Sequence, residues 1–293
     1  MPELPEVETI RRDLEKYVIG ASFQNVKFID FKNVAPGAAF LAKFLPGKKV
    51  AAVRRRGKLL ILDFKDTDRY LLLHLKMTGQ LIFIAGDKKI AGGHSLSNNS
   101  LAAAVGGDLP NKFTRAFFDF NNGGRLFFND LRKFGYIKLV DKKSLEKILA
   151  DNYGPEPLDK ALDYTYLQAI FKHREAPVKA VILNQKLIAG LGNIYADESL
   201  FMAGIRPNRS AKSLKKTEIE KLREAMGNII KKAIKARGTT FRNFVDGQGQ
   251  KGNFMAQLKV YQRHGQACPL CGRPLQKIKV AGRGTHYCQY CQK

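Results

Sequence analysis

At 293 residues, with 44% hydrophobic and 26% charged side chains, the chain is long enough for two domains with their own cores and too apolar for a disordered one. No apolar run approaches the ~18 residues that cross a bilayer, and the acidic, proline-punctuated start is unlike a secretion signal, so a cytoplasmic protein is expected. Lys and Arg total 51 against 26 Asp and Glu, a net charge of +25; with no basic amphipathic helix or lipidation signal, that excess points to a polyanionic partner rather than a membrane surface.

The chain opens on a helix after Pro5. Val7, Ile10, Leu14 and Tyr17 form one apolar stripe, with Glu6 and Glu8 in the first turn and Gly20 as the stop. Residues 22–140 then read mostly as strands: 48–53, 58–64, 70–75, 80–84, 116–120 and 125–128, with Asn121-Asn122-Gly123-Gly124 as a hairpin turn. One helix followed by many short strands predicts an α+β chain whose first domain, residues 1–150, is sandwich-like. Residues 85–112, rich in Gly, Ser, Asn and Ala, are expected to form an exposed loop.

Residues 151–158, with Gly154-Pro155-Glu156-Pro157, read as a linker. Beyond it the periodicity turns helical over about 159–173, 177–188, 193–203 and 215–237, and Gly190-Leu191-Gly192 makes a tight helix-turn-helix. This predicts a helical domain over 159–255 and a small module over 256–293.

That module holds all four cysteines, Cys268, Cys271, Cys288 and Cys291, spaced C-x2-C-x16-C-x2-C. Two clamps of two thiolates complete a closed tetrahedral site, the arrangement of a structural zinc ion. Two disulfides are the alternative, disfavoured in a cytoplasmic chain. Between the pairs, a basic strand, a glycine-flanked turn and a return strand form a β-hairpin with Arg283 at its tip, either a solvated turn residue or a phosphate contact.

Met1-Pro-Glu-Leu-Pro-Glu-Val-Glu-Thr9 resembles the start of the bacterial formamidopyrimidine-DNA glycosylases. The likeness continues through Arg56-Gly57-Lys58, His74-Leu75-Lys76-Met77, Asp130-Leu131-Arg132-Lys133-Phe134-Gly135, Gly154-Pro155-Glu156-Pro157, Ala189-Gly190-Leu191-Gly192-Asn193-Ile194-Tyr195 and Ala281-Gly282-Arg283-Gly284-Thr285. The resemblance implies a two-layer antiparallel β-sandwich behind the N-terminal helix, then a helix-two-turn-helix domain and a four-cysteine zinc-finger hairpin. It also implies a glycosylase and abasic-site lyase of base excision repair that removes oxidised purines from double-stranded DNA. The implied fold needs no partner chain, so a monomer at the nucleoid is expected.

The same resemblance assigns roles. Once Met1 is removed, Pro2 presents a secondary amine, more often neutral at pH 7 than a lysine, which attacks C1′ and leaves an iminium that promotes β- and δ-elimination. Glu3 protonates the sugar ring oxygen and Glu6 orients the site. Lys58 contacts the lesion's phosphate and assists β-elimination, and Arg283 assists δ-elimination. Met77, Arg132 and Phe134 fill the hole left by the displaced base. His74, Arg174, Lys179 and Asn193 contact the DNA backbone. Zinc does no chemistry; it holds Arg283.

The chain departs from the family where Lys112 is followed by Phe113, Thr114 and Arg115 instead of a His-x-His pair, with Arg115 expected to compensate electrostatically, and where Lys133 replaces the common arginine. Two rival readings are an endonuclease VIII-like enzyme acting on oxidised pyrimidines and a zinc-dependent DNA-binding protein without catalysis. Leu4 and Val7-Glu8-Thr9 favour the purine branch.

Overall fold

The computed structural model describes residues 2–94, 96, 105–239 and 254–293. Two compact units divide the chain: 1–149 with 236–255, and 150–235 with 256–293. Residues 236–255 group with the first unit, and the cysteine module shares the second unit with the helices.

In the first unit, α1 (Leu4–Val18) buries Val7, Ile10, Leu14 and Val18 against β3 (Val50–Arg56) and β7 (Lys88–Gly93). Each such side chain contributes about 1.5–3 kcal/mol, so the stripe read from the sequence is what seats the helix. One sheet runs β1-β8-β9-β6-β7, with β1 at Phe23–Phe28, β6 at Gly79–Ala85, β8 at Thr114–Phe120 and β9 at Arg125–Asp130. The other runs β2-β10-β5-β4-β3, with β2 at Val34–Ala35, β4 at Leu59–Phe64, β5 at Arg69–His74 and β10 at Tyr136–Asp141. Pairing is antiparallel except between β2 and β10. The two sheets enclose one core that includes Phe23, Leu60, Leu73, Phe118 and Phe128.

The loop expected over 85–112 is only partly a loop. Residues 88–93 form β7, paired with β6 along its length, because an open sheet edge supplies the hydrogen bonds that a weakly patterned segment lacks. Val105 and Leu109 pack with Ile82, Ile90, Phe117 and Phe127 on the outer face of that sheet. Residues 95 and 97–104 of the expected loop lie outside the described residues. A second short helix, α2 (Ala38–Phe44), and a third, α3 (Lys142–Asn152), were not anticipated; the Asp141 carboxylate accepts from Ser144 N at 2.8 Å at the start of α3.

In the second unit, α4 (Tyr164–Phe171), α5 (Val178–Leu183), α6 (Asn193–Ala203) and α7 (Lys216–Lys235) sit inside the four predicted helical spans. The expected linker is not a free tether: Gly154 N donates to Gln185 O and Ala189 N to Pro155 O, both at 2.9 Å. The hairpin is β11 (Gln276–Val280) and β12 (Arg283–Tyr287). Its two-residue turn has φ of 47° at Ala281 and 77° at Gly282, the positive values that match the twist of a tight hairpin and favour glycine. Among the described residues no helix is long and apolar enough to cross a membrane.

Candidate functional site

In the first unit, Pro2 is buried directly ahead of α1, whose N-cap is Glu3. Glu3 N donates to Glu6 Oε2 at 2.9 Å, while Glu6 Oε1 accepts from Thr239 N at 2.8 Å and Thr239 Oγ1 at 3.0 Å. Glu6 thereby ties the residue after Pro2 to the segment that follows α7, a partner no local pattern reveals. Two residues on, Glu8 receives Arg11, Arg12 and Arg55. Burial would raise its pKa, but the three guanidinium bonds prevail and hold it down at about 2.

Lys58 is 7% exposed in the turn between β3 and β4. The neighbouring register pairs Leu59 with His74. His74 is half-buried and held neutral, its pKa lowered to about 3 by burial and then by the charges of Lys76 and Lys58. Its Nδ1 accepts from Lys76 N at 2.9 Å, which leaves Nε2 as the donor. A neutral histidine donates one hydrogen bond to a phosphate but contributes no charge.

Met77, Arg132 and Phe134 lie side by side. Met77 and Phe134 are 42% and 49% exposed, Arg132 Nη1 is 3.4 Å from Met77 Sδ, and the guanidinium lies 4.5 Å from the Phe134 ring centre. Two apolar side chains held in water around an arginine suit a space vacated by a base. Arg115 does not compensate for the missing histidines as a free charge. It is buried, with Nε donating to Asp130 O at 2.9 Å and Nη2 to Lys112 O at 3.0 Å. Lys133 pairs with Asp30.

In the second unit, Arg283 is exposed on the first residue of β12. Asn193 opens α6, but the N-cap is Gly192; Asn193 Nδ2 donates to Gly284 O at 2.9 Å instead, beside Arg283. Arg174 is half-buried, with Nη1 on Ile170 O at 2.6 Å. Lys179, expected as a DNA contact, lies inside the unit. It is fully buried, with Nζ 2.6 Å from Asp197 Oδ1 and 2.7 Å from Thr285 Oγ1, so its charge is spent inside the protein, on the strand that carries Arg283.

Asp197 also accepts from His286 N at 2.9 Å, and the adjacent Glu198 accepts from the backbone N–H groups of Lys259, Val260 and Tyr261 at 2.9–3.1 Å. Both acids carry one signal in the sequence, two neighbouring carboxylates inside an otherwise apolar helix. They seat both ends of the cysteine module on α6.

The four cysteine sulfurs lie within 4.8 Å of one another. Cys268 and Cys291 are 3.9 Å apart and Cys271 and Cys288 3.6 Å. Four thiolates at Zn–S distances of ~2.3 Å in a tetrahedron stand about 3.8 Å apart, whereas a disulfide needs ~2.05 Å. The donors fit one structural zinc ion, with no ligand position left open for chemistry. Cys268 and Cys288 are buried with Phe201, Val260 and Leu275 in a small core of the unit.

Three family models match: the formamidopyrimidine-DNA glycosylase N-terminal domain over residues 1–137, the H2TH domain of the same enzymes over 153–245, and a zinc finger found in FPG and IleRS over 265–293. A formamidopyrimidine-DNA glycosylase of Desulforamulus reducens is 40% identical over all of this chain and 99% of its own length. Two solved structures of Lactococcus lactis Fpg, one with DNA containing an abasic site and one with DNA containing N7-benzyl-Fapy-dG, are each 34% identical over the whole of both chains, with TM-scores of 0.86 and 0.85.

Proposed function

The chain belongs to the formamidopyrimidine-DNA glycosylase family, and from that premise we propose that it excises oxidised purines, 8-oxoguanine and formamidopyrimidines, from duplex DNA with Pro2 as nucleophile. The Pro2 amine, freed by loss of Met1, bonds to C1′ of the damaged nucleotide as the C1′–base bond breaks and the amine's proton passes to the departing base; Glu3 then protonates O4′ as the C1′–O4′ bond opens. The secondary amine yields an iminium that keeps its positive charge without a proton on nitrogen. That charge draws electrons from C2′, so the 3′ phosphate departs first and the 5′ phosphate second. Lys58 assists the first departure and Arg283 the second. His74, Arg174 and Asn193 act on the DNA backbone, and one copy of the chain suffices at a lesion.

The observation that carries this reading is the Glu6 carboxylate, which grips Glu3 N at 2.9 Å immediately after Pro2. It anchors the proposed nucleophile and proton donor at the start of one helix. Borohydride reduction in the presence of an 8-oxoguanine:C duplex tests the reading. A covalent adduct at Pro2, absent in Pro2→Gly, is expected once intact mass confirms that Met1 is gone. Absence of an adduct would return the chain to DNA binding without catalysis, and preferential trapping on thymine glycol would move it to the oxidised-pyrimidine branch.

A further inference from the structure

Met77 and Phe134 stand in water, so apolar burial does not hold them in place. Something beneath them must. The pairing of β6 with β9 brings Gly79 opposite Asp130, and so sets the segment carrying Met77 beside the segment carrying Arg132 and Phe134. At that crossing Thr78 Oγ1 donates to Asp130 Oδ1 at 2.5 Å and accepts from Arg132 N at 3.0 Å. The other carboxylate oxygen, Oδ2, accepts from Gly135 N at 2.7 Å, and Oδ1 also lies 3.2 Å from Arg132 N.

Asp130 is fully buried and Thr78 nearly so. A buried carboxylate is tolerated when hydrogen-bond donors replace its lost water, and leaving one of those donors unmade is costly. Here the donors come from both sides of Phe134 and from the residue next to Met77. A Cβ on Gly135 would stand 3.1 Å from Asp130 Oδ2 and 2.7 Å from the Phe128 ring, so the loop closes on the carboxylate only with glycine there. Asn33 Nδ2 braces the far flank on Lys133 O at 2.7 Å.

We propose that Thr78 and Asp130 are positioning residues for base displacement: the hydroxyl–carboxylate pair locks together the two segments that bear Met77, Arg132 and Phe134, and so presets the wedge that enters the duplex. This rests on the glycosylase reading above and adds to it the element that makes extrusion of the base efficient. A preset wedge avoids the ordering cost of three exposed side chains at the moment of insertion. It matters when a stacked, paired base must leave, and not when the sugar is already unstacked.

The test compares two substrates for the full-length, zinc-loaded protein: an 8-oxoguanine:C duplex, and an abasic site in single-stranded DNA. Thr78→Val keeps shape and removes the hydroxyl; Thr78→Ser restores it. Under single turnover, Thr78→Val is expected to slow duplex excision roughly tenfold, the scale of one buried hydrogen bond lost, and to leave single-strand cleavage within about twofold. Thr78→Ser is expected to recover most of the duplex rate. A 2-aminopurine beside the lesion reports unstacking directly, and its fluorescence rise should slow by the same factor in Thr78→Val. Asp130→Asn, which turns one acceptor into a donor against N–H groups, is expected to show the same substrate split. Equal losses on both substrates in Thr78→Val and Asp130→Asn, or an unchanged fluorescence rise, would overturn the proposal. Wild-type protein inactive on both substrates would instead overturn the glycosylase reading itself.

Discussion

Thr239 closes onto Glu6, giving both its backbone N–H at 2.8 Å and its hydroxyl at 3.0 Å to the same carboxylate oxygen, Oε1. The other oxygen holds Glu3 N, so one buried side chain joins the helix start to the segment leaving α7. Arg237 strengthens the same junction through Asp13.

Glu6→Gln should weaken that junction more than Thr239→Val. A glutamine must turn its NH2 toward either Glu3 N or Thr239 N, donor against donor, whereas the valine deletes only the hydroxyl bond. Urea unfolding is expected to show a loss of about 2 kcal/mol for Glu6→Gln and about 1 kcal/mol for Thr239→Val. Borohydride trapping at Pro2 should fall in the same order. A trapping rate in Glu6→Gln equal to wild type would remove Glu6 from the orientation of the N-terminus.

The Glu8 cluster gives stability a defined acid limit. Its folded pKa of about 2 lies below its ordinary 4.5, so the group favours folding above pH 4.5, and that contribution is lost as pH falls from 4.5 toward 2. At pH 7, Glu8→Gln should cost about 2 kcal/mol after allowance for residual solvent near the three arginines. Repeating the unfolding series at pH 4 and pH 3 should bring the variant and the wild type progressively together. A constant gap across that window would mean that packing, not charge, dominates the site.

Much of this was legible because the patterns are local. The Val7–Ile10–Leu14 stripe, the short apolar run at residues 116–120 and the cysteine spacing each act over a few residues, and the helix, the strand and the four-sulfur cluster stand where they point. The failures come from long-range partners. Thr78 and Asp130 are 52 residues apart and meet only through sheet register. Lys179 looks like a surface cation until Asp197 and Thr285 close around it, and Gly92 and Gly93 carry too little pattern to announce an edge strand.

Metal removal should uncouple the second unit's small core from its hairpin. Cys268 and Cys288 contribute buried surface as well as sulfur, so Cys288→Ser removes a ligand and a packing group together. One zinc per chain is expected on release with a chromogenic chelator. Stripped or Cys288→Ser protein should bind an abasic duplex at least ~10-fold more weakly, because structural zinc affinity is folding free energy. The Pro2 amine, in the other unit, should still react with a small amine-specific reagent at the wild-type rate. Full DNA affinity after zinc loss would detach the hairpin from DNA binding.

Lys179 offers the sharpest separation between a buried support and a DNA contact. A lysine on a phosphate contributes to counterion release, so its loss lowers the salt slope of binding by about one. A lysine sealed against Asp197 contributes nothing to that slope, yet its removal strands a buried carboxylate at a cost of about 3–5 kcal/mol. Lys179→Met is therefore expected to lower the unfolding midpoint strongly while the log–log slope of abasic-duplex affinity against salt stays unchanged. Adding Asp197→Asn should recover part of the lost stability, since the uncompensated charge is gone while an amide oxygen still accepts from His286 N. If instead the slope falls by one and stability holds, Lys179 reaches DNA, and the buried pair with Asp197 is not what supports the Arg283 strand.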